Sequence, residues 1–119
     1  MIFVYVTHRF VGWHSWPDAP PERAYLSDHH RHLFHVRAEI ESGHADRAIE
    51  FHDLLAVVQN ACGNLGVESR YGGRDLASLS CEMIADLIMR AVRANWQGSY
   101  VSIDVSEDGE NGARVSTVR

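Results

Sequence analysis

Alternation dominates the start of the chain. Ile2, Val4, Val6, His8, Phe10 and His14 share one parity, and Phe3, Tyr5, Thr7, Arg9, Val11 and Trp13 share the other. Phe, Val, Tyr and Thr fit a pleated surface, so residues 2–14 are predicted as a strand. Prolines at 17, 20 and 21 cannot donate to a ladder, which makes that segment a loop. Alternation returns at His30, with His30, His32, Phe34, Val36, Ala38 and Ile40 on one face and Arg31, Leu33, His35, Arg37, Glu39 and Glu41 on the other. This is the pattern of a half-buried strand whose inner face begins with two histidines and is apolar from Phe34 onward. Residues 42–46 read as a turn into a short strand near 48–51.

From Phe51 the period changes. Phe51, Leu54, Leu55, Val58 and Cys62 fall on one helical stripe, with Gly63 suited to its C-terminal stop. Residues 63–78 are Gly-rich and polar and are expected to be a loop. Ser80 is placed to cap a second helix, with Met83, Ile84, Leu87, Ile88, Ala91 and Val92 as its stripe. Tyr100–Ser106 alternates again with Val101, Ile103 and Val105 inward. Asp108-Gly109 and Asn111-Gly112 are turn signals before a last strand over 113–118. The order strand, strand, helix, helix, strand, strand predicts an α+β fold: a four-stranded antiparallel sheet with two helices on one face.

Composition narrows the class. With 119 residues, 45% hydrophobic and 23% charged, residues 1–119 read as a single soluble domain. The chain has no lysine, which excludes Schiff-base chemistry and a phosphate-loop nucleotidase. A net charge of −5 argues against a broad nucleic-acid surface. Thr7, His8 and Arg9 interrupt the apolar start before a signal core or membrane span is reached. Cys62 and Cys81 form no Cys-x-x-Cys pair and read as buried free thiols of a reducing, cytoplasmic setting.

Eight histidines are the conspicuous excess. His30 and His32, two apart on a strand, project to one face and can share an ion. His14 ends the first strand and, in an antiparallel pairing, lies near the start of the second. Three histidines with one open position is how catalytic zinc is held, although solvated or packed histidines give the same spacing.

The residues around these histidines extend the pattern. Phe10-Val-Gly-Trp-His14, His30-Arg-His32-Leu-Phe34-His-Val36, Ala48-Ile-Glu50-Phe51-His-Asp53-Leu54, Ser80-Cys-Glu82-Met-Ile-Ala85 and Val105-Ser-Glu107-Asp108 occur in this order over most of the chain. In them the chain resembles the 6-pyruvoyltetrahydropterin synthase and 6-carboxytetrahydropterin synthase (QueD-like) family. The corresponding family segments are Phe-x-Ala-x-His, His-Gly-His-x-Phe/Tyr-x-Val, Val-x-Asp-Phe-x-Asp-Leu, Thr-x-Glu-x-Leu-Ala and Val-x-Glu-Thr. The resemblance implies the T-fold, Zn2+ on His14, His30 and His32, and a small pterin- or purine-like substrate bound by Glu107, Ser80 and Glu82. It also implies a homo-oligomer whose trimers close into a barrel and pair into hexamers, while the charge and the interrupted apolar start predict no nucleic-acid or membrane partner. From parity alone, Glu107 continues the inward set of Val101, Ile103 and Val105, where a carboxylate can accept two parallel N–H bonds. The alternative is a plain turn residue before Asp108-Gly109.

The chain departs from the family where protons are moved. The family's cysteine, four residues before the first His of His-x-His, is Leu26 here, and residues 64–75 hold no histidine to supply its Asp-His pair. Arg31 replaces a glycine and Glu50 an aspartate. Asp28, His29 and Glu22 lie in the segment that replaces the cysteine loop, and Asp28 and His29 are the candidate catalytic groups. Asp28 is equally suited to orienting a zinc histidine, and His29 to facing solvent. The expected function is a zinc-dependent lyase acting on a dihydroneopterin-triphosphate-like molecule, in pterin or 7-deazaguanine (queuosine) chemistry. The alternatives are a pterin- or purine-binding T-fold protein without catalysis, and a structural zinc protein.

Overall fold

A computed structural model describes residues 1–118 of the chain. Strand β1 spans Ile2–His14 and β2 spans His30–Ser42, and the two pair antiparallel along their whole length. Thirteen residues at ~3.3 Å each reach about 43 Å, which sets the long dimension of a molecule measuring 50 × 29 × 22 Å. Between them, Pro21–Ser27 forms a 3-10 helix, entered at prolines whose φ already suits a helical turn.

Helix α1 covers Phe51–Gly63 and helix α2 covers Cys81–Asn95. Both start on a side-chain cap: the Glu50 carboxylate accepts from the Asp53 amide, and the Ser80 hydroxyl accepts from the Met83 amide. Val101–Glu107 and Asn111–Ser116 form a hairpin whose first strand lies against β2. α1 rests over β1, and α2 over this hairpin. The core lies between: Phe34, Val36, Ala38 and Ile40 from β2, Val101, Ile103 and Val105 from the hairpin, Leu54 and Val58 from α1, and Ile84, Ile88 and Val92 from α2.

Several elements differ from the sequence reading. The sheet has six strands rather than four. Residues 63–78 contribute two short strands, β3 (Val67–Glu68) and β4 (Arg74–Asp75), which makes the hairpin strands β5 (Val101–Glu107) and β6 (Asn111–Ser116). The order is β3-β4-β1-β2-β5-β6, and β4 runs parallel to β1. Two-residue strands carry no periodicity to read. What permits them is Gly73, where an added Cβ would lie 2.3 Å from the Val11 carbonyl oxygen, so only glycine lets this loop approach β1.

No strand forms over 48–51, because Glu50 is committed to capping α1. Asn111 and Gly112 lie inside β6, opposite Glu107 and Ser106, so the hairpin turns once, at Asp108-Gly109, where both φ angles are positive. The helical stripes are rotated relative to expectation. Phe51, Met83 and Leu87 are exposed, while Cys81, Ala85 and Met89 are buried, because α2 presses the flank of Ile84, Ile88 and Val92 nearer Cys81 onto the sheet. Both cysteines are free and buried.

Candidate metal centre

Register brings the chemistry together. In the antiparallel pairing of β1 and β2, His14 stands directly opposite His30, and Gly12 opposite His32. On the other side of β2, Glu107 stands opposite Phe34. All share the parity that faces the helices, so four donors from three strands converge at one end of the sheet. His14, His30, His32 and Glu107 each offer a ligand atom, and these atoms lie within 4.8 Å of one another. The imidazole centroids are 4.7 Å (His14–His30), 5.0 Å (His30–His32) and 5.5 Å (His14–His32) apart. The Glu107 Oε2 atom is 2.6 Å from His32 Nε2 and 3.6 Å from His14 Nε2.

The rings are held from behind. His14 Nδ1 donates to the Leu79 carbonyl at 2.8 Å, and His30 Nδ1 donates to the Asp28 carbonyl at 2.8 Å. His32 Nδ1 meets Asp108 Oδ2 at 2.7 Å. Nδ1 of His14 and of His30 therefore carries its proton outward, which leaves Nε2 inward, whereas His32 meets a carboxylate through each ring nitrogen, Asp108 behind it and Glu107 in front, so that Nε2 is its inward, metal-binding position. Beneath them the ring of Phe34, fully buried, is edge-on to His14 and His32 at 5.2 and 5.9 Å. An apolar floor on one side and solvent on the other leave a donor cluster open toward solvent.

The donor set fits a first-row divalent ion. Three imidazoles are a ligand set that zinc takes, at bond lengths of ~2.0–2.1 Å, with a fourth position left open beside Glu107. A tetrahedral ion keeps such ligands roughly 3.3–3.5 Å apart, within reach of the observed spacing by small side-chain rotations. Asp108 is itself tied down: Oδ1 accepts from the Leu33 amide at 2.9 Å, and its own amide donates to the Leu33 carbonyl at 2.7 Å. The hydrogen bond from His32, and after it that from Leu33, holds the Asp108 carboxyl below its usual range.

The remaining predicted residues fall around this cluster. Asp28 reaches it through its main-chain carbonyl, which orients His30. His29 lies outside the donor group, and its Nε2 stands 3.2 Å from Asp75 Oδ1 on β4. Ser80 caps α2 directly after Leu79, whose carbonyl holds His14, so the start of α2 borders the site. Glu82 is exposed in the first turn of α2. Three of the other four histidines have local roles: His44 accepts from the Asp46 amide, His52 pairs with Glu50, and His35 lies under the turn at Gly109.

Neither thiol replaces the missing cysteine. Burial pushes Cys62 up to about 12. Burial, then the charges of Glu107 and Glu82, push Cys81 up to about 12 as well. Three groups are absent from the sequence-based expectations: Asp75 as the partner of His29, the Leu79 carbonyl, and Asp108 as the partner of His32. For Asp108 a signal exists, since a residue just past the end of β5 lies beside the β2 strand on which His32 sits.

No protein-family model matches the chain, and no curated protein matches it. Solved structures do. The chain is similar to 6-pyruvoyl tetrahydropterin synthase of Plasmodium falciparum, with a TM-score of 0.67 and 16% identity over 98% of this chain and 99% of that one. It is similar to 6-pyruvoyl tetrahydropterin synthase of Plasmodium vivax, with a TM-score of 0.62 and 12% identity over 98% and 99%. An uncharacterized protein of Wolinella succinogenes matches with a TM-score of 0.60 and 15% identity over 99% and 100%. The Plasmodium vivax enzyme is also known as catalytic-residue mutants in which a glutamate is replaced by alanine or cysteine. The chain thus has the tetrahydropterin synthase fold, the T-fold, over nearly its whole length.

Proposed function

We propose that the protein is a zinc-dependent carbon–oxygen lyase of the tetrahydropterin synthase type, acting on a dihydroneopterin-triphosphate-like substrate. The observation that supports this most is the convergence of His14, His30 and His32 at 4.7–5.5 Å between ring centroids, each with its Nδ1 turned outward to an oxygen. When bound, the ion supplies Lewis-acid polarisation of substrate oxygens, which lowers the cost of removing a neighbouring proton. The chain's own residues do the rest. Glu107, at the rim of the cluster, presents a carboxylate able to receive the paired N–H groups of an aminopyrimidinone edge. Ser80 uses its oxygen lone pair for the α2 cap and keeps its O–H to donate, and Glu82 follows on the same helical turn.

Proton transfer is assigned to the segment before His30. His29 lies 3.2 Å from Asp75 through Nε2, and a proton shared there would leave Nδ1 as the basic nitrogen. Asp28 is the carboxylate alternative, and the catalytic glutamate of the Plasmodium vivax enzyme is a precedent for a catalytic carboxylate on this fold. Homo-oligomer assembly follows the same reading, because the sheet ends in two open edges, β3 and β6, that a second copy would cover. A second reading is a pterin- or purine-binding protein without turnover. It is favoured by the state of the thiols, both buried and raised to about 12, which leaves the position of a cysteine base unfilled.

Purified protein is assayed for metal and then incubated with dihydroneopterin triphosphate, with products followed by mass spectrometry. Near one equivalent of zinc, lost in His30→Ala, together with formation of a 6-pyruvoyl or 6-carboxy product, supports the lyase. Tight binding of the pterin without product supports the binding protein. Less than a tenth of an equivalent of zinc, with His30→Ala unchanged in stability, overturns the metal site and with it the zinc-dependent lyase, and absence of pterin binding overturns the binding protein.

A further inference from the structure

Of the three rings in the metal cluster, two are oriented by main-chain carbonyls and one by a side chain. His14 and His30 donate to the carbonyls of Leu79 and Asp28, whereas His32 Nδ1 meets the carboxylate of Asp108 at 2.7 Å. That carboxylate is built into the fold at three points. Oδ2 takes His32, Oδ1 takes the Leu33 amide at 2.9 Å, and the Asp108 amide donates to the Leu33 carbonyl at 2.7 Å. Asp108 is also one of only three non-glycine residues with positive φ among the described residues, at 57°, in the Asp108-Gly109 turn that joins β5 to β6. Aspartate and asparagine tolerate this conformation better than other side chains.

We propose that Asp108 is a positioning residue for metal binding: its carboxylate holds His32 in the tautomer whose Nε2 lone pair points at the ion, and strengthens that nitrogen as a donor. The inference rests on the metal-site reading above and deepens it. A main-chain carbonyl fixes a tautomer, but a carboxylate adds a full negative charge behind the ring, which makes the imidazole a better ligand. With Glu107 Oε2 on Nε2 at 2.6 Å and Asp108 Oδ2 on Nδ1 at 2.7 Å, His32 lies between two carboxylates, and a metal bound at Nε2 would take the place of the proton of the Glu107 contact while Nδ1 keeps its own toward Asp108. The turn is thereby more than a connection, because the residue that sets the β5–β6 hairpin also aims a ligand on β2.

Asp108→Asn is the discriminating variant. Asparagine is equally suited to the turn, and its Oδ1 still accepts from the Leu33 amide. Its Nδ2 then faces His32 Nδ1, two donors in opposition, so the ring is driven to the tautomer with its proton on Nε2. Zinc affinity is measured by competition with a chromophoric chelator, and Co2+ binding by its visible absorption. Unfolding of the metal-free protein is followed alongside. We expect a 10–100-fold loss of zinc affinity in Asp108→Asn, an altered Co2+ spectrum, and a metal-free unfolding midpoint equal to the parent's. His35→Gln, which changes a ring lying under the same turn at Gly109 but not on the ion, retains parental affinity. Parental affinity in Asp108→Asn overturns the inference while leaving the metal site standing, and so does an equal loss in His35→Gln. Failure of the parent protein itself to bind zinc or Co2+ overturns the metal site instead.

Discussion

Gly12 tests whether the core and the metal centre are one packed unit. It lies on β1 between Phe10 and His14 on the inward parity, opposite His32, where the family segment has alanine. A Cβ there would stand 2.7 Å from Leu76 Cδ1 and 2.7 and 2.8 Å from Phe34 Cε2 and Cδ2. These approaches are about 1 Å inside the optimum for carbon atoms. Neither neighbour has room to withdraw, since both are fully buried. Overpacking of this kind costs about 1–3 kcal/mol. Part is offset by ~0.4–1 kcal/mol because alanine restricts the unfolded chain, and the φ of Gly12 lies outside the left-handed region. Gly12→Ala is therefore expected to destabilise the metal-free protein by about 1–2 kcal/mol, a drop in urea midpoint of roughly 0.5–1 M for a chain of this size. Phe34 carries the disturbance further, because it stacks on Phe10 at 5.4 Å and is edge-on to His14 and His32. Zinc affinity falls with stability.

The assay is urea unfolding in chelator at one fixed protein concentration, repeated for Leu76→Ala and for the double variant. Leu76→Ala alone costs about 2–5 kcal/mol by cavity formation. In the double variant the new methyl occupies space that Leu76 has vacated, so the two costs fall short of their sum by ~0.5–3 kcal/mol. Strict additivity, or a Gly12→Ala protein as stable as its parent, would refute the packing argument.

Other outcomes follow from single sites. Ser80→Ala removes the α2 cap and costs about 1 kcal/mol, while Ser80→Asp restores it, both read from thermal unfolding. Cys62 and Cys81, each raised to about 12, react with a thiol reagent at pH 8 far more slowly in the native protein than in denaturant, and equal rates would contradict their burial. Burial lowers the His8 imidazole from its ordinary value of 6.5. Its folded value is below the unfolded one, so the contribution of His8 is complete above about pH 6.5 and is lost as pH falls from there through the lower folded value. An NMR titration places its midpoint below 6.5, and in His8→Gln the loss of stability between pH 7.5 and 5.5 is smaller. The exposed Arg114–Asp104 pair across β5 and β6 contributes less than about 1 kcal/mol, and Arg114→Gln unfolds close to the parent.

Much of the fold is legible in the chain because alternation and helical periodicity report burial directly. Alternation gives β1 its observed bounds and β2 its bounds to within a residue, and Ser80 marks the cap of α2. Burial of Phe34, Val36, Ala38 and Ile40 follows from parity alone. Other features leave no periodic trace. β3 and β4 are too short to show one, and the capping role of Glu50 is defined only once the Asp53 amide is placed. Phe51, Met83 and Leu87 fit an apolar stripe yet face outward, since the angle at which a helix rolls onto a sheet is set by the residues opposite.

The sequence determines the inventory and the faces. Side chains two apart on a strand share a face whatever the rest of the chain does, so parity alone makes His30 and His32 one unit and adds Glu107 to the inward set. Only the tertiary structure decides the partners. Pairing register sets His14 against His30 across β1 and β2, and the β2–β5 pairing brings Glu107 within 2.6 Å of His32. It also puts Asp108 behind that ring and Asp75 beside His29. The reason is one of range. Periodicity is enforced by local backbone geometry over a few residues, whereas Asp108 and His32 are 76 positions apart and meet only when packing of the whole sheet fixes which strands are neighbours.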